Sequence, residues 1–357
     1  MYLIFYILLI LLSLLHRKNK RYASLVIVFS LIIVYMHPYC ADYLNYENVY
    51  NIIAKGYKYF DTGIGWYYVC YIFSRLGISF RLFKTIICGI SLLLINHTVK
   101  EFLDGKNKNY FLAISLIFPF LIQFIQFRFF LATSIIVFNY KNLSEKNVKK
   151  IFLSIFSLTI ASLIHSSYFF FLIIYLILLI NPLRKHIKIA LVVIFTLTVC
   201  LILYKNVLIE LVSHFINVVR INRYFTVKNE KSNILYMFLS FIAIYINYKP
   251  LSLIIKNGKI NNISDENAKN AILTVNKLSL LSVLLIPLMT FDVNFIRVLQ
   301  LPIILSNISL LICKTNQIND FTLFRKKIKI WDALFLNSIF YFIIFIPKLL
   351  VFWGMLK

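Results

Sequence analysis

Apolar residues recur in long runs from one end of the chain to the other, separated by short polar stretches. The runs cover roughly residues 2–15, 22–36, 66–74, 82–96, 110–123, 129–140, 151–164, 168–180, 187–204, 234–247, 278–290, 295–313 and 331–352. They lack the alternation of a half-buried strand, so runs of this length read as helices. Several fall short of the ~20 residues that a perpendicular crossing needs, so some are expected to be tilted, broken or re-entrant, with about 10–13 spans in all. A lipid interior admits only helices and closed barrels, because each backbone polar group must be satisfied within the protein. The expected fold is therefore all-α, a polytopic integral membrane protein. With no internal repeat or linker interrupting the pattern, residues 1–357 read as one membrane domain.

Composition makes the same point by exclusion. Hydrophobic residues are 61% of the chain and charged residues only 14%, against about 45–50% and about 25% in soluble domains. Too few charges remain to build a water-facing surface. Those present are lopsided, 38 Lys and Arg against 13 Asp and Glu, a formal charge of +25. With no basic soluble domain to carry it, nucleic-acid binding is excluded. Orientation by the positive-inside rule, contact with anionic membrane lipids and recognition of a phosphate-bearing substrate compete for the excess. The basic clusters at 17–21, 141–150 and 184–188, and the loops 249–275 and 314–330, read as cytoplasmic. The loops 37–65 and 205–233, and the turns around Arg128, His165 and 292–297, then fall outside. Between Trp66 and Lys108 the charges do not fix one crossing or two, and one piece is expected to be a half-helix. The first apolar run precedes its basic cluster, so it reads as an anchor with an outside N-terminus rather than a cleaved signal. Five isolated cysteines, Cys40, Cys70, Cys88, Cys200 and Cys313, indicate neither a disulfide framework nor a metal site.

An ionisable residue at membrane depth is a functional candidate by default. Arg128 stands in an aromatic and aliphatic frame beside Gln123 and Gln126, and its planar fork suits a phosphate; the alternative is an interfacial arginine snorkelling to head groups. His165 lies in Ala161-Ser-Leu-Ile-His-Ser-Ser-Tyr168, where a helical hairpin turns, and can take a proton or donate to a bound oxygen. The loop 37–65 gathers three of the 13 acidic residues, Asp42, Glu47 and Asp61, with aromatics that include Tyr46, and Trp66 follows directly. Rings offer stacking faces for sugars and carboxylates bind or deprotonate hydroxyls; an ordinary interfacial aromatic belt is the plainer account. Arg220, Arg223 and Arg297 add three arginines on the face predicted for Arg128, where orientation disfavours them. A diphosphate ligand would explain them. No phosphate-cradling glycine loop, HExxH or GxSxG is present, which points away from soluble-type nucleotide chemistry.

Taken in order, Asp42-xxx-Tyr46, Asp61-Thr-Gly63-x-Gly65-Trp66-Tyr67, Arg128-xxx-Ala132 and His165-Ser166 resemble the EpsG family of exopolysaccharide polymerases, relatives of the Wzy-type O-antigen and capsule polymerases. The resemblance is carried mainly by residues 35–180, with Arg297 as its late arginine. The family usually has Glu and Pro ahead of Gly-Tyr where this chain has Asp61 to Trp66, and Gln after the arginine where it has Phe129. The carboxylate survives in Asp61, and Gln126 stands in for the missing amide. The resemblance implies a glycosyltransferase of the bacterial cytoplasmic membrane, acting at its outer face without cofactor or metal. Its substrates would be polyprenyl-diphosphate-linked oligosaccharides, and its partners a flippase and a chain-length regulator. Arg128, His165, Asp42 and Asp61 would be catalytic, with Arg297, Arg223, Arg220, Gln126, Glu47, Trp66 and Tyr46 binding substrate. A lipid-linked oligosaccharide flippase, another polyprenyl-linked-sugar transferase, a ligase or a structural membrane subunit are the competing readings.

Overall fold

The computed structural model describes residues 2–15, 22–36, 41–60, 63–180, 196, 230–290, 297–323 and 326–352. The described residues are helical almost throughout: α1 Tyr2–Leu15, α2 Tyr22–Met36, α3 Ala41–Ala54, α4 Ile64–Arg75, α5 Phe80–Phe102, α6 Gly105–Ser115, α7 Leu121–Ile125, α8 Phe127–Phe138, α9 Val148–Ile164, α10 Tyr168–Leu179, α11 Glu230–Lys256, α12 Glu266–Leu281, α13 Gln300–Thr315 and α14 Ile330–Phe352. An antiparallel hairpin, β1 Asp320–Leu323 and β2 Lys326–Lys329, pairs Asp320 with Lys329 and Leu323 with Lys326. Among the described residues, Phe80–Phe102, Leu235–Lys256, Glu266–Ile286 and Arg297–Thr315 are long and apolar enough to cross a membrane; Ala23–Met36, Phe127–Phe138, Tyr168–Leu179 and Ile330–Ile343 are shorter apolar helices. The protein is an all-α membrane protein.

Three stretches differ from their expected form. The polar stretch 37–65, expected as a loop, contains α3, because Tyr43, Tyr50 and Ile53 recur at helical spacing and bury one face. Tyr50 donates from its hydroxyl to the Ile78 carbonyl at 2.7 Å and stacks on Phe83. The expected loop 249–275 is mostly helix. Lys-rich sequence hides the stripe Ala268, Ala271, Ile272, Val275 and Leu278, while Asp265 caps α12 by accepting from the Asn267 backbone N–H at 2.8 Å. The expected loop 314–330 holds the hairpin.

Between Trp66 and Lys108, α4 is a short helix of 12 residues and α5 a full-length one of 23. Trp66 of α4 packs at 5.6 Å on Phe83, in the first turn of α5, and at 5.4 Å on Phe127, the first residue of α8. Thus α3, α4 and the starts of α5 and α8 gather at one end of the bundle. The run 110–123 is broken. After α6 a π-helical turn, Leu116–Phe120, contains extended Phe118 (φ −159°, ψ 135°) and Pro119, which has no N–H to give the helix. Only the five residues of α7 follow before Gln126 (φ −100°, ψ 51°) ends it and α8 begins.

Basic residues mark the opposite end, with acids beside them. Lys141 pairs with Glu101 at 3.1 Å and Lys277 with Glu145 at 2.6 Å, while Lys259 and Lys327 flank Asp320 at 3.2 and 3.1 Å. Asn107, in the first turn of α6, reaches Thr315 at the end of α13 at 3.0 Å.

Candidate functional site

At the α3–α4 end, the last turn of α9 is the point on which other segments converge. Its final carbonyls lack helical partners and carry the negative end of the helix dipole. Arg128, in the first turn of α8, donates from Nε to the Ile164 carbonyl at 2.8 Å. This holds the guanidinium against a helix C-terminus, where both the hydrogen bond and the dipole favour it.

Gly63 and Gly65 lie on the same turn. A Cβ on Gly63 would stand 2.9 Å from the Leu163 carbonyl oxygen and 3.9 Å from Arg128 Nη2, and Gly63 has φ 106°. A Cβ on Gly65 would meet the Leu163 carbonyl carbon and oxygen at 2.9 Å. The Gly-x-Gly spacing is thus a packing requirement: only residues without Cβ let α4 start directly against the α9 backbone. Asp61, two residues earlier, lies outside the described residues.

His165 follows Ile164 in the turn beyond α9. Its Nδ1 accepts from the Ser167 backbone N–H at 3.3 Å, and its ring sits edge-on to Phe129 at 5.2 Å and to Tyr168 at 6.3 Å. Tyr168 is tied to Thr133 of α8 through a hydroxyl–hydroxyl hydrogen bond. Burial of the ring, then the charges of Arg128 and Arg297, hold the imidazole well below its ordinary pKa of 6.5. A neutral ring that accepts at Nδ1 carries its proton on Nε2. As placed, His165 is a hydrogen-bond donor; the proton-accepting role also open from sequence would need the other tautomer.

Arg297 opens the span Arg297–Thr315 and is half-buried. With the Gln126 amide oriented by its neighbours, the amide oxygen accepts from Arg297 Nε at 2.9 Å and Nη1 at 3.1 Å. Gln126 thereby orients one arginine while its backbone marks the start of the helix that carries the other.

The aromatic expectation is corrected in part. Trp66 is 1% exposed, and Tyr46 and Trp66 pack on Phe127 at 4.9 and 5.4 Å. Trp66 offers no free face to a sugar; it fills the junction of α3, α4, α5 and α8 and steadies the residue beside Arg128. Composition cannot separate a ring that stacks on ligand from one that stacks on protein. Glu47 is half-buried in α3 and accepts from Tyr43 one turn earlier at 3.5 Å. Asp42 stands in the first turn of α3, its side chain outside the described ones. Arg220 and Arg223 lie outside the described residues. Among the described residues no group of three or more His, Cys, Asp or Glu side chains is placed to hold a metal ion.

Sequence reasoning passed over Gln300, Thr133 and Tyr168. A glutamine in the first turn of an apolar helix, three residues after an arginine, was the available signal for Gln300.

No curated protein and no solved structure matches the chain. The EpsG family model matches residues 36–356, nearly its whole length. The chain therefore belongs to the EpsG family, a family of Wzy-like polymerases.

Proposed function

We propose that this protein is a glycosyltransferase of the bacterial cytoplasmic membrane that joins polyprenyl-diphosphate-linked oligosaccharide repeat units at the outer face. The observation that carries the reading is the convergence of Arg128, Arg297 and His165 from three separate segments at one end of the bundle, within electrostatic reach of one another. Two guanidinium forks are suited to a diphosphate, whose oxygens accept planar pairs of hydrogen bonds.

In the reaction, the acceptor sugar's hydroxyl oxygen bonds to the donor's anomeric carbon as the bond from that carbon to the diphosphate oxygen breaks. The diphosphate leaves on its lipid, carrying the electron pair. Arg128 and Arg297 stabilise the charge that grows on it, the kind of fixed electrostatic help that costs no reorganisation during the step. His165 donates from Nε2 to a substrate oxygen. The proton lost by the hydroxyl passes to a carboxylate of the Asp42–Asp61 region. Arginines that neutralise the leaving group remove the need for a metal. The basic opposite end then faces the cytoplasm, in keeping with the positive-inside rule, and a flippase would deliver the repeat units while a chain-length regulator sets the product's extent.

Comparison of a deletion strain with its complemented form tests the reading. Single lipid-linked repeats accumulating at the outer leaflet support polymerisation. Repeats trapped on the cytoplasmic face would make the chain a flippase and overturn it.

A further inference from the structure

Buried amides normally find partners, because leaving their hydrogen bonds unmade inside a protein is costly. Among the described residues, three find none at either atom: Gln123, Gln300 and Asn307, which are 0%, 0% and 1% exposed. Two of them have a particular address. Gln123 lies one turn before Gln126, and Gln300 one turn after Arg297, so each is one helical turn from a member of the Gln126–Arg297 pair. Asn307 is two further turns along α13.

The chemistry of an amide restricts its occupant. Each carries two N–H donors and one acceptor oxygen. An ionised diphosphate could take the donors but has no hydrogen to give the oxygens. A ligand that satisfies both must donate as well as accept, as sugar hydroxyl and acetamido groups do. The carrier of Gln123 suits such engagement. The helix α7 is only five residues long, bounded by extended Phe118 on one side and by non-helical Gln126 on the other, so it has a break at each end about which to shift.

We propose that Gln123 and Gln300 form a sugar-binding subsite next to the diphosphate-binding arginines, taking the hydroxyl or acetamido groups of the lipid-linked glycan nearest the diphosphate. The inference rests on the diphosphate-site reading and adds to it the recognition of glycan by a pair of amides.

The test uses the full-length protein in lipid nanodiscs and two probes: bare polyprenyl diphosphate, and lipid-linked repeat units extracted from a strain lacking this protein. Wild type should bind the glycan-bearing lipid about ten-fold more tightly, the worth of one or two hydrogen bonds that would otherwise be left unmade. Gln123→Met and Gln300→Met should each erase that difference while leaving the affinity for bare polyprenyl diphosphate and the thermal midpoint unchanged or raised. Asn307→Leu, which also removes a partnerless amide but away from the arginines, should keep the ten-fold preference. If both methionine variants retain the preference, the amides do not read sugar and the inference falls while the diphosphate site stands. If wild type binds neither probe, the diphosphate reading falls and this inference with it. If the methionine variants fail to fold, the amides serve the fold and the subsite is rejected.

Discussion

The two ends of the bundle differ in the contacts that hold some of their cations. At the basic end, lysines meet carboxylates: Lys141 with Glu101, Lys277 with Glu145, Lys259 and Lys327 with Asp320. At the other end, Arg128 donates to the Ile164 carbonyl and Arg297 to the Gln126 amide oxygen, both neutral acceptors. A carboxylate contact offsets a cation's charge, whereas a neutral oxygen fixes the direction of its N–H groups. The contrast teaches that a cation can be oriented by a neutral acceptor as well as by an opposite charge.

The largest effect should come from removing an aimed cation. Arg128→Ala should lower polymer formation by about 10²–10³-fold, the usual cost of one transition-state donor. Arg128→Lys should recover little, because it keeps the charge and loses the planar fork. Gel profiles of the surface glycan, at matched protein level in the membrane, measure both; full-length polymer from the alanine form would refute the role.

Next comes the aiming itself. Gln126→Leu leaves Arg297 charged but removes the oxygen that holds its fork, and should weaken apparent donor affinity by about ten-fold, as for a hydrogen bond to a charged group. A shift in maximal rate alone, with donor affinity intact, would break the argument. Gly65→Ala forces a Cβ to 2.9 Å from the Leu163 backbone, and overpacking of this kind costs about 1–3 kcal/mol. The thermal midpoint in detergent should fall, and activity with it as the α9 end moves off Arg128.

A pH profile sharpens the same comparison. The His165 pKa lies below its ordinary 6.5, so the neutral donor persists as pH falls through 6.5, and protonation begins only at more acid values. Polymerisation in membrane vesicles should therefore stay flat from pH 7 to about 6. A loss centred at 6.5 or above would show that the imidazole is not held neutral. The smallest effect belongs to the basic end: Lys141→Ala, at an exposed pair with Glu101, should change stability by at most about 1 kcal/mol and leave polymer length unaltered.

Helical class, membrane residence and the family were legible in the sequence because each is written locally, in run length, charge scarcity and short ordered motifs. Arg128, His165 and Arg297, which the structure brings to one end of the bundle, drew notice in the sequence for a related reason: charge is expensive in an apolar frame, so its presence is conspicuous. What escaped was relational. Trp66 read as a sugar platform because a ring's partner is not encoded beside it. Gly63 and Gly65 stood out as a motif, yet their reason, the Leu163 backbone, lies about a hundred positions downstream. The helices α3 and α12 were hidden because polar and lysine-rich faces masked stripes that only packing reveals.

Residues 163–168 touch Gly63 and Gly65, Arg128, Phe129 and Thr133 within six positions. They are an exchange unit as well as a contact point. A chimaera between this chain and a relative with different sugar specificity should carry 60–67, 126–133 and 163–168 across together. A crossover that separates them would pair one protein's glycine shelf with another's helix end, and would lose the arginine's bearing before any new specificity could be read out.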